Sequence, residues 1–485
     1  MNLALVLVPA IAAAFAPLFR NDRPRRVLWL AVAIVHFILT AYVSLVHGKP
    51  VAGEWLGMDS LSAVFLPLTS LLFLLVTIYG IGYITREPAD QRPDAETGGI
   101  LNNAPESVFT TCMLFFLASM TLSILSRHLG LQWTAIEATT LSSAPLIYYH
   151  RNRRSLEAAW KYLILCSVGI AVALMGIFFI GLALGPRAGD ITLQVLLAKA
   201  NMLNHKWLEI AFILLLVGYG TKMGLAPMHN WLPDAHSEAP SPVSALLSGA
   251  LLNCAFLGIL RVQQICAAAG VGSFGGSLLV LFGLISMGVA AVFLLGQVDF
   301  KRMLAYSSVE HMGILALGTG LGGLGAFAAM LHLVNHSIAK AMMFMTAGNI
   351  HSRYHTKDST KISGLLRAMP ITGALWLTGW LAIAGSPPFG LFVSEFTVLR
   401  SIAGNHLWIV GVLFLAFLTL AFIGMTNIVL RMAFGTTSVR TRRESWSSVL
   451  PIALLAIMSL VLGVCVPGWV GNALHAAANV IGGGR

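Results

Sequence analysis

The chain has 485 residues, of which 57% are hydrophobic and only 10% charged, and its mean hydropathy is +0.82. A soluble surface cannot be built from that composition, so the two or three globular domains suggested by length give way to a polytopic membrane protein. The net charge of +11 does not require a nucleic-acid partner, because its placement along the chain has a simpler meaning.

Segments of roughly 18–25 apolar residues, each enough to cross a ~30 Å hydrocarbon layer as a helix, recur from end to end. About fourteen spans are expected, starting near residues 3, 27, 61, 108, 128, 159, 208, 242, 276, 303, 325, 370, 407 and 447. The first has almost no basic residues before it and no small-residue cleavage site after it, so it is expected to be a retained helix. Nineteen Lys and Arg residues fall in alternate loops, in the clusters Arg20–Arg26, Arg86–Arg92, Arg151–Arg154, Lys301–Arg302, Arg353–Arg367 and Arg431–Arg443. Eight fall opposite: Lys49, Arg127, Arg187, Lys199, Lys206, Arg261, Arg400 and Arg485. The positive-inside rule then places both termini outside a cytoplasmic membrane and makes the span count even. The three remaining cations, Lys161, Lys222 and Lys340, lie within or at the mouth of spans. There an ionisable group costs at least ~2.5–3.5 kcal/mol and marks a functional candidate. The five cysteines show no CxxC spacing, which argues against a cluster or a disulfide framework. No Gly-rich phosphate loop is present.

In the fifth span, LQWTAIEATTLSSAPLI, Glu137 is the only acid. It could be a structural carboxylate bonded to neighbouring hydroxyls such as Thr134 or Ser143; a proton relay beside a mobile cation is preferred. Lys161, nearer a helix end, could snorkel to the interface. The seventh span carries Lys222 and is broken by Pro227 five residues later. In the tenth, Glu310 adjoins His311, as a satisfied pair or as a further titratable site. The eleventh places His332, His336 and Lys340 at i, i+4, i+8, one titratable stripe. A metal site on it would need at least one more ligand, so none is expected. The twelfth is broken at Pro387 and Pro388, with Glu395 beyond the break.

Proline frees a carbonyl that a membrane tolerates only where protein or water satisfies it, and paired broken helices point to an inverted-repeat transporter. Lys222 to Glu395 and Glu137 to Glu310 both span 173 residues. The organisation expected is an all-α polytopic protein: a three-helix segment 1–107, a five-helix repeat 108–265, its inverted copy 266–435, and a C-terminal helix and tail 436–485.

The motifs TKMGLAPMHN followed by WLPDAHSEAPSPVSALLSGALL, DFKRMLAYSS, NHSIAKAMMFMTAGNI and SPPFGLFVSEF resemble those of the antiporter-like membrane subunits of respiratory complex I, Mrp antiporters and membrane-bound hydrogenases. The resemblance covers roughly residues 60–435 and implies fourteen helices with two inverted repeats. It matches Glu137, Lys222, His332, His336, Lys340 and Glu395 to the family's proton-translocating groups. Many relatives have a lysine where LLNCAFLGILR places Asn253, which cannot carry a proton. That asparagine and SSVEHMG in the tenth span resemble component F of hydrogenase-4 type complexes.

A proton-translocating subunit of a hydrogenase-4 or formate hydrogenlyase type complex is therefore expected, not catalytic alone. The resemblance implies no cofactor in this chain. Iron–sulfur clusters and a nickel–iron centre would belong to a peripheral redox arm, alongside other membrane subunits. A complex I fourth-type subunit, a sodium/proton antiporter subunit without redox partner, a structural anchor and a bicarbonate-uptake role with a soluble zinc partner are the alternatives.

Overall fold

The computed structural model describes residues 1–46, 55–87, 92–93, 100–185, 190–437, 439, 441 and 443–482. Of the loop cations counted above, Lys49, Arg187, Arg440, Arg442 and Arg485 lie outside the described residues. The first part of the chain forms α1 (Asn2–Phe15), α2 (Asp22–Val46), α3 (Ser62–Ile84), α4 (Glu106–Leu125), α5 (Leu129–Ile147), α6 (Arg153–Leu184) and the short α7 (Leu193–Ala198). Then come α8 (His205–Met223), α9 (Trp231–Glu238), α10 (Ser241–Leu246), α11 (Leu252–Ala268), α12 (Gly272–Leu294), α13 (Phe300–Leu321) and α14 (Gly323–Tyr354). The chain finishes with α15 (Leu365–Ala368), α16 (Pro370–Ile383), α17 (Gly390–Gly404), α18 (Trp408–Ala433), α19 (Trp446–Val464) and α20 (Gly468–Gly482). Two-residue strands β1 (Arg92–Pro93) and β2 (Ile100–Leu101) pair antiparallel.

Each expected span start has a helix beginning within a few residues of it. Among the described residues, eight spans are long and apolar enough to cross a membrane unaided, and two shorter apolar helices lie at Asn2–Leu18 and Pro370–Ile383. Local sequence sets several boundaries. Asn152 and Ser155 form a reciprocal capping box at the start of α6, and Asp299 accepts from the Lys301 and Arg302 amides at the start of α13, each satisfying donors a helix leaves orphaned. Short α10 runs into α11 through a π turn, Leu247–Leu251, and this segment is enclosed on all sides while α18 turns most of its surface outward. An apolar helix with no polar face must be covered either by protein or by lipid.

Small residues let backbones touch where α12 meets α13. A Cβ on Gly283 would sit 2.7 Å from the Gly313 carbonyl oxygen, and one on Gly313 2.7 Å from that of Gly283. Dispersion and close approach, rather than burial from water, hold helices together in lipid.

Two expectations are corrected. Arg261, counted as a loop cation, lies within α11 and is fully buried. It donates to the backbone carbonyls of Ile124 (2.9 Å) and Ser126, to Ser62 Oγ (3.2 Å) and to Asp59 (3.2 Å). A cation is stable there because these acceptors, two of them at the end of α4, replace water. The C-terminal tail also contains a further helix, α20, whose His475 stacks on Phe327 of α14 at 4.2 Å.

Candidate functional site

Both expected breaks are present. After Lys222 in its last turn, α8 ends at Gly224, in the left-handed conformation (φ 84°), the usual helix stop for a residue without Cβ. The chain turns through Pro227 and resumes at Trp231, whose indole donates to the Thr221 carbonyl at 2.8 Å. Lys222 thus sits at the C-terminal, partially negative end of a half-helix, where the backbone dipole favours a cation. The second break lies between α16 and α17 and contains Pro387 and Pro388, with Gly385 at φ 59°. Glu395 follows in the second turn of α17.

Lys222 is fully buried. Its Nζ donates to Thr140 Oγ1 at 2.7 Å and to the Tyr162 hydroxyl at 2.6 Å. Thr140 donates onward to Glu137 Oε2 at 3.2 Å, and Ser167 donates to Glu137 Oε1 at 2.8 Å. Glu137 and Lys222 are therefore joined through one threonine hydroxyl. The carboxylate is bonded to hydroxyls, but to Thr140 and Ser167 rather than to Thr134 and Ser143: Thr134 donates to the Gly130 carbonyl, and Ser143 bonds the Thr139 carbonyl and Tyr162. A threonine that accepts from an ammonium and donates to a carboxylate has both its roles filled. In this arrangement Lys222 can pass a proton to Thr140 as Thr140 passes its own to Glu137, which leaves a neutral lysine and a neutral carboxylic acid with the hydroxyl restored.

The second group lies on α13, α14 and α17. Lys340, fully buried, donates to the Leu304 carbonyl at 2.7 Å and to Ser307. His332 faces His311, Nε2 to Nδ1, at 3.0 Å, and its Nδ1 meets Ser394 Oγ at 2.9 Å. His336 is buried with both ring nitrogens unpartnered, its ring 5.2 Å from that of His311. Glu310 is not bonded to His311; its Oε2 is buried and unpartnered. Glu310 and Glu395 instead line one partly open cavity of about 290 Å³, together with Phe414, Leu418 and Phe422 of α18.

Asn253 lies between the groups, just after the π turn. Its amide donates to the Gly249 carbonyl at 2.9 Å and to Ser337 Oγ at 2.8 Å, on the stripe helix next to His336, while its Oδ1 is buried and unpartnered. Among the described residues no hydrogen bond joins Lys222 to Asn253 or Asn253 to Lys340. Lys161 stands apart: half-exposed, it pairs with Glu157 (2.7 Å) and Asp234 (3.0 Å), and Arg302 pairs with Asp234 at 3.1 Å.

Thr140, Tyr162, Ser167, Ser307 and Ser394 do not stand out in the sequence, although each bonds an ionisable group. The one available signal was Tyr162, a phenol inside an apolar span, whose hydroxyl needs a partner when buried.

A model of the family described as NADH:quinone oxidoreductase/Mrp antiporter, TM matches residues 126–424. A hydrogenase-4 component F homolog from Methylacidiphilum infernorum is 38% identical over 380 residues, covering 77% of this chain and 78% of that protein. In fold, the chain resembles one from the membrane-bound sulfane sulfur reductase, an archaeal respiratory membrane complex, with a TM-score of 0.88 at 24% identity over 99% of this chain and 97% of that one. A chain of respiratory complex I from Thermus thermophilus gives a TM-score of 0.77 at 26% identity over 98% and 100%. The family match spans both breaks and both buried groups, and the chain belongs to the NADH:quinone oxidoreductase/Mrp antiporter family as an antiporter-like membrane subunit.

Proposed function

We propose that this chain carries protons across a bacterial or archaeal cytoplasmic membrane through Glu137, Lys222, His332, His336, Lys340 and Glu395, as a component-F-like subunit of a hydrogenase-4 or formate hydrogenlyase type complex. The observation that carries the proton reading is the Glu137–Thr140–Lys222 connection, a buried cation and a carboxylate joined by one hydroxyl. Buried ionisable groups in a span are too costly to keep as ornaments. Asn253 bridges by hydrogen bonding to Ser337 where many relatives carry a lysine, with water completing the connection. Glu310 is a further station beside Glu395, and Lys161 serves the surface end.

We read the chain as fourteen crossings with both termini outside, units 108–265 and 266–435 forming inverted repeats. Supporting this, each unit has a 32-residue helix, α6 and α14, preceded by a helix that carries a glutamate, half-buried Glu137 and buried Glu310, and followed by a broken one. Redox energy would arrive from partner subunits of a peripheral arm holding iron–sulfur and nickel–iron centres, as a charge change passed between neighbouring ionisable groups.

Lys222→Met is expected to abolish coupled proton transfer in inverted membrane vesicles while the complex still assembles; normal pumping would refute the role. Purification of the tagged complex from its native membrane tests the partner assignment. Nickel–iron and iron–sulfur subunits with hydrogen-dependent dye reduction support it. NADH-oxidising partners would move the chain to complex I, and small hydrophobic partners alone would move it to the cation antiporters.

A further inference from the structure

We propose that His311, His332 and Glu395 form an intramembrane site for one transition-metal dication of the zinc class, with the cavity beside Glu310 supplying the open coordination position. The binding stands on geometry alone; its consequence for transport rests on the proton-carrying role proposed above.

The three residues come from three helices, α13, α14 and α17, and are all buried. One ligand atom from each lies within 4.8 Å of the others. The stripe read from sequence lacked a further ligand, and the fold provides two that sequence spacing could not: His311 from the neighbouring helix and Glu395 from beyond the second break. His336, the stripe member in register with His332, is not one of the three.

The hydrogen bonds also fix which nitrogen is free. The Ser394 hydroxyl has one proton, and it donates that proton to the Leu391 carbonyl at 2.9 Å. It must therefore accept from His332 Nδ1–H, which leaves His332 Nε2 with a bare lone pair facing His311. A ligating histidine whose other nitrogen is held by an oxygen is the usual outer arrangement of metal sites. The two facing nitrogens are 3.0 Å apart, against roughly 3.3 Å for the edge of a tetrahedron with zinc–nitrogen bonds of about 2.0–2.1 Å. Binding requires only that the proton between the rings leave or move to His311 Nε2, which has no partner, and that the Glu395 carboxylate close in.

Two imidazoles and a carboxylate suit zinc, copper or nickel rather than a hard alkali or alkaline-earth ion. The cavity of about 290 Å³ reaches Glu395 and has room for a water as fourth ligand. Glu310 lines the same cavity and its buried Oε2 has no partner, so its carboxyl group is near enough to the cavity to accept a hydrogen bond from that water after a side-chain rotation. A metal there would occupy His332 and Glu395 together and block any proton passing between them.

The test uses the intact complex in lipid nanodiscs with Zn²⁺ alone as the probe. Competition against a chromophoric chelator measures zinc equivalents and affinity, and zinc-edge X-ray absorption identifies the ligands. The expected result is loss of one equivalent, or at least a tenfold weakening, in His311→Gln and in Glu395→Gln, with binding unchanged in His475→Gln. Two variants on different helices guard against one of them failing to fold. Zinc stoichiometry and affinity unchanged in both variants would overturn the site. Proton pumping is then measured against zinc concentration with the same complex in sealed proteoliposomes: inhibition that follows occupancy, and is lost in His311→Gln, supports the blocking consequence. Occupancy without inhibition leaves the metal site standing and refutes the proton-carrying role.

Discussion

The fate of one hydroxyl decides how the first buried group works. Thr140 is the only hydrogen-bonded link between Lys222 and Glu137 among the described residues, so Thr140→Val removes it while keeping the shape of the side chain. A hydrogen bond to a charged group contributes about 1.5–3 kcal/mol, and 1.4 kcal/mol is a factor of ten. Pumping is therefore expected to fall by about tenfold or more in Thr140→Val and to recover in Thr140→Ser, measured as initial rates in vesicles. Equal rates in Val and Ser variants would show that the hydroxyl is not on the route. The charged members of this group were legible in the sequence because an ion in an apolar run violates the solvent around it. Thr140 and Ser167 were not, since serine and threonine are common in spans and usually bond their own helix carbonyl, as Thr134 does here.

The broken helices show which features of an element can be read in advance. Proline and glycine announced both breaks, because they remove a donor or permit a backbone angle whatever the surroundings. The π turn at Leu247–Leu251 left no such mark: its residues suit an ordinary helix, and only packing against the stripe helix, where Gly249 approaches the Ser337 carbonyl, distinguishes it. Helix α20 was read as tail because its 15 residues fall short of a span. At the second break, Gly385 has both a positive φ and no space, since a Cβ would run into the Glu395 carboxylate. Gly385→Ala carries a left-handed penalty of roughly 1–2 kcal/mol and displaces Glu395. It is expected to lower the thermal midpoint in detergent and to impair pumping together; a fully stable, fully active variant would show that the break tolerates a side chain.

At the scale of the whole molecule, the buried Arg261 gathers α3, α4 and α11 by bonding Asp59, Ser62 and the carbonyls at the end of α4. Removing one member of a buried ion pair strands the other and costs about 3–5 kcal/mol. Arg261→Met should therefore cut the yield of folded protein sharply, as read by monodisperse recovery in detergent. Arg261→Lys should not restore it, because a single ammonium cannot match the forked guanidinium. Sequence placed this residue in a loop, since a hydropathy profile cannot distinguish a cation at a span's edge from one enclosed by carbonyls.

The glycine contact between α12 and α13 bears on movement as well as packing. Where Gly283 and Gly313 meet backbone to backbone, no side chain separates the two helices, with Leu317, Met287 and Ser286 packed around the contact, and a slide there would drive Cα atoms into carbonyl oxygens. The pair behaves as a single plank. His311 and Glu310 ride on that plank, so whatever gates the passage beside them must be a swing of side chains or a shift of α14 and α17 against a fixed wall.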